Sequence, residues 1–181
     1  MSRVVRQTVQ AAALLIGMPL IGLFVYDLVA VRPHVARIGA LLAAAEPSEA
    51  SPPPLIRDLI DAGVDSPEAY AARLAMQYVE GGVERGILRR HARELLWRIL
   101  LPLHLDDSAM YGLVAARAPN GTDHGLAAFA RREYGKSLDA LSPIEAARTV
   151  AIIKGPSYFL RDRQRLEERA NSLLARAGNA H

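Results

Sequence analysis

From Thr8 to Val31 the chain carries a single charged side chain, Asp27, and Ala11 to Tyr26 (AAALLIGMPLIGLFVY) carries none. A segment this apolar must bury itself in protein or in lipid. Val9 to Val31 is 23 residues, roughly 34 Å of helix at about 1.5 Å per residue, against a hydrocarbon core of about 30 Å. Asp27 stands near the far end, where a carboxylate reaches the interface. Gly17, Pro19 and Gly22 would weaken a soluble helix, yet such residues are common in membrane spans. Residues 1–34 are therefore expected to be an N-terminal transmembrane signal anchor. The competing reading is a cleaved signal peptide ending at Ala43-Ala44-Ala45 before Glu46, but Ala45 lies 19 residues beyond Tyr26. Processing normally falls directly after the apolar stretch, so the uncleaved anchor is preferred. Arg3 and Arg6 precede the span, and Arg32 and Arg37 follow it, so charge alone does not orient it.

At 181 residues there is room for one domain and an accessory segment. With 51% hydrophobic and 23% charged residues the chain has a globular composition rather than a disordered one. It has no cysteine, which excludes disulfides and thiolate metal sites. Its 20 arginines and 2 lysines are interleaved with 19 acids for a net charge of +3, which argues against nucleic acid as a partner.

Residues 35–54 read as a stalk and linker. VARIGALLAAA can continue the helix, and EPSEASPPP, Glu46 to Pro54, has the composition of an extended spacer that holds the next part off the bilayer. Residues 55–178 then form the globular part. No alternating β-branched run is long enough for a strand, and the expected class is all-α, about six helices on one core. Ser66-Pro67-Glu68 opens a helix with Tyr70, Leu74 and Tyr78 on one face, closed by Gly81-Gly82. The next, about Glu84 to Leu101, is expected to turn Ile87, Leu88, His91, Leu95 and Ile99 inward and to stop at Pro102. Ser142-Pro143-Ile144-Glu145 is a capping-box pattern before a helix closed by Gly155-Pro156. Asp162 caps a final helix with Leu166, Ala170, Leu173 and Leu174 inward, ending at Gly178.

No phosphate loop, H-E-x-x-H or G-x-S-x-G occurs. His34, His91, His104 and His124 have no metal-like spacing, and neither a metal nor a cofactor is expected. Arg90, Glu94 and Arg98 share one helix face, which suits either a solvated ion-pair ladder or an acid held ionised beside a phosphate-bearing ligand.

From Ala71 to Arg176 the chain resembles the later part of the peptidoglycan glycosyltransferase domain of penicillin-binding proteins, glycosyltransferase family 51. The segment HGLAAFARREYGKSLDALSPIEAARTVAIIKGPSYF places Gly125, Ala130, Tyr134, Gly135, Lys136, Leu141, Glu145, Ala146, Ala147, Pro156 and Tyr158 on the family pattern without a gap. Arg169 matches the family's closing arginine-rich segment. LRRHAREL resembles R-K-x-x-E, with Arg90 and Glu94 in place and His91 for the lysine. The resemblance implies a lysozyme-like helical fold, Glu94 as the family's second catalytic carboxylate, and Arg90, Lys136, Lys154 and Arg169 on the substrate side. It also implies a single-pass protein of the inner membrane with a periplasmic globular part, and lipid-linked peptidoglycan precursor or cell-wall synthesis proteins as partners.

Three family signatures are lost or eroded. Aligning Pro54 to Ala62 with the family's first apolar helix puts Gly63 where the attacking glutamate stands, with Asp61 and Asp65 as flanking acids. AYAARLAMQYV keeps only Leu74, Ala75 and apolar spacing of a Thr-Gln-Gln segment, and Val114 and Ala116 replace a tyrosine and an asparagine. As the family is understood, one carboxylate deprotonates the acceptor hydroxyl, which attacks a polyprenyl-pyrophosphate-linked donor. Loss of a general base typically costs about 10²–10⁴ in rate. The expectation is a catalytically impaired, precursor-binding or synthase-binding domain. The alternatives are an active enzyme with a different base and a structural envelope protein.

Overall fold

The computed structural model describes residues 3–81 and 86–179, with side chains from residue 15 onward except Glu80. All regular structure among them is helical, and the nearest approach to a strand is an isolated antiparallel bridge between Pro119 and His124. Helix α1 (Arg3–Tyr26), a π-helical turn (Asp27–Val31) and α2 (Arg32–Ala44) form one uninterrupted rod. Pro33 has no N–H to return to Val29, and its ring crowds that carbonyl. The ladder widens just upstream, with the Arg32 N–H reaching the Asp27 carbonyl. By length and composition this rod can cross a membrane, and only 6% of its most apolar window is covered by protein.

The segment expected to be an extended spacer is packed instead. Pro47–Ala50 forms a single helical turn, α3, in which Ser48 and Glu49 are buried, and Pro52 is buried as well. Arg57 ties the proline run down. Its guanidinium donates to the Pro52 carbonyl at 2.8 Å, to Ser51 Oγ at 3.1 Å and to Ser108 Oγ at 3.2 Å. The composition suggested a linker because prolines favour extended backbone, but small side chains and a satisfied carbonyl let the same residues lie against the core.

Two groups of helices make up that core. In one, α4 (Pro54–Gly63), α9 (Pro143–Ala151) and α11 (Arg163–Gly178) pack on one another. In the other, α5 (Pro67–Glu80) lies between α6 (Ile87–Leu100) and α7 (Asp107–Arg117), with α3 under α7 and α8 (Leu126–Tyr134) bridging to α9. A short α10 (Pro156–Phe159) leads into α11. Ser66 accepts from the Ala69 N–H at 3.2 Å, and Gly81 ends α5 in the left-handed region at φ 68°. Asp162 accepts from the N–H groups of Gln164 and Arg165, and α11 buries Ala170 and Leu173 with Leu166 and Leu174 packed beside them. Gly82 and Glu84, expected to break one helix and start the next, lie outside the described residues.

Helix α6 faces opposite to the expected way. Ile87, Leu88, His91, Leu95 and Ile99 are exposed, and Trp97 and Leu100 are buried, continuing into Leu101 in the 3₁₀ turn (Leu101–Leu103). The helix has two apolar faces about half a turn apart. The one that packs carries Trp97, which His34 of α2 covers with ring centroids 6.2 Å apart. The larger apolar body claims the interior.

At the start of α9 the Glu145 carboxylate accepts from the Ser142 N–H at 2.8 Å and from Lys136 Nζ at 2.8 and 2.7 Å. The Lys136 hydrogen bonds, and then those from Ser142, hold its carboxyl at about 2, below the ordinary 4.5. The sign follows from that depression. Its contribution is complete above the unfolded value and disappears as pH falls from about 4.5 toward about 2. Melts of Glu145→Gln across that window should lose part of the acid destabilisation seen in the natural chain, and an unchanged acid limb would contradict this.

Candidate functional site

The five residues singled out by sequence do not converge. Glu94 accepts from Arg90 Nε at 3.2 Å and sits 3.6 Å from His91 Nδ1, on an exposed face of α6. This is the i, i+4 ladder, screened by water and worth little. Lys136 is bound to Glu145 in the capping arrangement described above. Lys154 donates to the fully exposed Asp65 at 3.1 Å. Arg169 donates to the Gly63 carbonyl at 2.9 Å, closing the C-terminal end of α4. Burial, then the nearby Arg176, lowers its pKa, and Asp65 opposes them. Lys154 and Arg169 therefore meet around Asp65, as supports of the α4 terminus.

The position aligned with the attacking glutamate faces the core. A Cβ on Gly63 would stand 3.5 Å from Val150 Cγ1 and 3.6 Å from Leu173 Cδ2. Neither flanking acid lines either of the two cavities described below. Asp61 accepts from the Tyr111 hydroxyl at 2.6 Å, and Asp65 points into solvent. Burial, reinforced by that hydrogen bond, pushes the Tyr111 phenol well above its usual range.

A different set of side chains does share a groove. A cavity of about 400 Å³ lies along α2, lined by Arg37, Leu41, Ala44, Glu49, Tyr78 and Ala116 among others. Two guanidinium groups, from Arg37 and Arg117, each stand 4.9 Å from the centroid of the Tyr78 ring. Arg37 donates to the Val79 carbonyl at 3.4 Å, while Arg117 Nε is buried without a hydrogen-bond partner. Glu46, at the head of α3, pairs with Arg131 at 2.9 Å.

Glu49 is the buried acid of this groove. Its Oε1 accepts from the Ala127 N–H at 2.8 Å, satisfying a free amide in the first turn of α8. Burial raises its pKa, and the Ala127 hydrogen bond opposes the shift. The chain makes room for it at Gly125, whose φ is 99° and whose Cβ would lie 2.7 Å from Glu49 Oε1. A left-handed backbone and a carboxylate in van der Waals contact both require glycine there. Chemically the groove offers the Arg37 cation and the Tyr78 ring for an anionic group, with Arg117 against the same ring and a carboxyl poised nearer neutrality than a surface acid.

A second cavity, of about 250 Å³, lies between α8 and α11. It is lined by Tyr134, Phe159, Arg163 and the Arg148–Glu167 ion pair, which closes at 2.8 Å. Among the described residues, no group of three or more acids and histidines is placed to hold a metal ion. The structure defines a helical protein whose first helix is long and apolar enough to cross a membrane, with an arginine-bearing groove on the continuation of that helix. In comparisons with protein families, curated proteins and solved structures, the chain matches none.

Sequence reasoning missed this groove because its members are scattered over α2, α3, α5 and α7. Glu49 lies inside a proline and serine run, and Tyr78 shares a helix face with Tyr70 and Leu74.

Proposed function

We propose that this chain is a single-pass inner-membrane protein of the bacterial envelope, with a lysozyme-like domain derived from peptidoglycan glycosyltransferases on the periplasmic side. In this reading the domain binds the pyrophosphate-sugar head of a polyprenyl-linked cell-wall precursor and does not polymerise it. The observation that carries the proposal is the groove on α2, the direct extension of the apolar helix, lined by Arg37 and Tyr78, with Arg117 stacked on the same ring. A ligand anchored in lipid by its own tail would present its diphosphate near the end of that helix. Holding a diphosphate needs placed cations, whereas transfer needs a base within reach of the acceptor hydroxyl. Glu94 is engaged in a solvated pair, and Gly63 lies against α9 and α11, so neither family carboxylate position supplies that base.

The test uses the full chain in lipid nanodiscs with lipid-linked disaccharide precursor. Binding without glycan product is expected. Charge-assisted hydrogen bonds contribute about 1.5–3 kcal/mol each, so Arg37→Ala and Arg117→Ala should each weaken binding about tenfold or more. Arg90→Ala and Glu94→Gln should leave it unchanged. Loss of binding through Arg90 with no effect of Arg37 would reverse the assignment of the site.

One observation favours an active enzyme as a second reading. Glu49 lines the same groove, and its raised pKa suits a base better than an exposed carboxylate does. Glycan product from the natural chain that vanishes in Glu49→Gln would establish it, because glutamine still accepts from the Ala127 N–H.

A further inference from the structure

Apart from Tyr158 and Leu160, every large apolar side chain that is exposed among the described residues lies either on the apolar rod or on α6 and the 3₁₀ turn after it. On α6 three of them, Leu88, Leu95 and Ile99, form one stripe, and Ile87 lies about 100° from it round the helix. Leu88 is 85% exposed, Leu95 56% and Ile99 48%, and Leu103 follows at 70%. At about 100° per residue, Leu88, Ala92, Leu95 and Ile99 fall within roughly a sixth of the circumference. Trp97 and Leu100 hold the opposite side against the protein, so the stripe cannot rotate inward. A patch of this size and regularity is uncommon on a protein surrounded only by water.

Its position names the solvent it faces. Helix α6 packs on the π-helical turn (Asp27–Val31) of the rod. His104 Nε2 lies 2.7 Å from Asp27 Oδ1, with both side chains mostly buried, which pins the end of the 3₁₀ turn to the same level. His34 stacks on Trp97 one turn further on. Leu28 and Val29 of that π turn are themselves exposed, the last large apolar side chains of the rod to be so. A bilayer that solvates them reaches the height at which α6 is attached. The flanks of the stripe are basic: Arg89 on one side, and Arg98 with His91 on the other, are exposed. Arginines bordering an apolar helix face suit anionic head groups, with the guanidinium in the polar layer and the hydrocarbon below it.

We infer that α6 is an interfacial helix, with Leu88, Leu95, Ile99 and Leu103 among the acyl chains of the leaflet and its arginines at the phosphates. The inference rests on the reading that α1 crosses the bilayer. With it, the domain touches the membrane at two places, and the single rod no longer acts as a swivel: the α2 groove is held at a fixed height and angle above the lipid. The partner is the bilayer itself. A second copy of the chain apposing the same stripe by two-fold symmetry would bring the flanking arginines of both copies together.

The natural chain has no cysteine, so single sites can be labelled cleanly. Nitroxide labels on Leu88→Cys, Leu95→Cys and Leu103→Cys would be read in the full chain, reconstituted in phosphatidylglycerol–phosphatidylethanolamine vesicles, by collision with oxygen and with a water-soluble nickel chelate. Leu20→Cys on α1 reports the anchor, and Ser172→Cys on the exposed side of α11 reports water. All three α6 sites are expected to follow Leu20, with collisions favouring oxygen over nickel, and Ser172 to show the reverse. Lipid exposure at Leu20 with nickel access at the α6 sites would overturn the inference and leave the anchor intact. Nickel access at Leu20 as well would bring down the anchor reading and this inference with it. Spin–spin broadening between labels on α6 of different copies, absent on dilution with unlabelled protein, would show that a second copy covers the stripe and would also overturn it.

Discussion

Replacing Leu173 by alanine is expected to cost about 2–5 kcal/mol, a large part of the roughly 5–15 kcal/mol that holds an ordinary domain together. Leu173 has no exposed surface, and α11 presents it to the place where α4 and α9 meet. Its Cδ2 stands next to the bare Cα of Gly63, and Val150 approaches the same point from α9. Removing three carbons there leaves a cavity among three helices that cannot all collapse toward it. Neighbouring Ser172, exposed on the same helix, should tolerate alanine with little change. Gly63→Glu is expected to be at least as damaging, because it drives a carboxylate between Val150 and Leu173 without a partner. Denaturant titration of the full chain in micelles measures all three. If Leu173→Ala melts like the natural chain, α11 is an appendage and the core ends at α9.

Much of the helical frame was legible because local chemistry fixes helix ends. Ser66, Asp162 and the Ser142–Glu145 pair each satisfy amides that any helix leaves open, so a short motif suffices to place them. The apolar rod was legible for the same local reason, its length. Two things were not. Helix α6 has apolar residues on two sides, and only the tertiary competition won by Trp97 decides which side packs. The α3 segment looks like a linker by composition, yet it is held by Arg57 just downstream and by Gly112, a remote residue no short pattern connects to it. The candidate site shares that second difficulty. Arg90 and Glu94 stood out because they are four residues apart and therefore pair with each other. Arg37, Glu49, Tyr78 and Arg117 come together only after α2, α3, α5 and α7 have packed.

Gly112→Ala is expected to disable the groove from a position that does not line it. The glycine lies inside α7, where alanine would ordinarily strengthen the helix by up to about 1 kcal/mol. Here the added methyl would overlap the Ala50 carbonyl oxygen, and would stand 3.1 Å from the Ala50 carbonyl carbon and 3.2 Å from the Glu49 backbone oxygen. Backbone cannot swing aside as a flexible side chain can, so α3 must lift off α7. Overpacking of this kind typically costs about 1–3 kcal/mol, which exceeds the gain in propensity. Lifting α3 withdraws Glu49 from the Ala127 N–H and opens the wall of the groove that faces Arg37. Exchange of the Ala127 amide should therefore accelerate markedly, and precursor binding should fall with it, while α4, α9 and α11 keep their protection. Gly39→Ala on α2 provides the contrast, since nothing stands within 4 Å of a Cβ there and the substitution should be neutral or slightly stabilising. A Gly112→Ala protein whose Ala127 amide stays protected would mean that α3 is not held by close packing on α7. The buried Glu49 would then owe its place to the α8 amide alone.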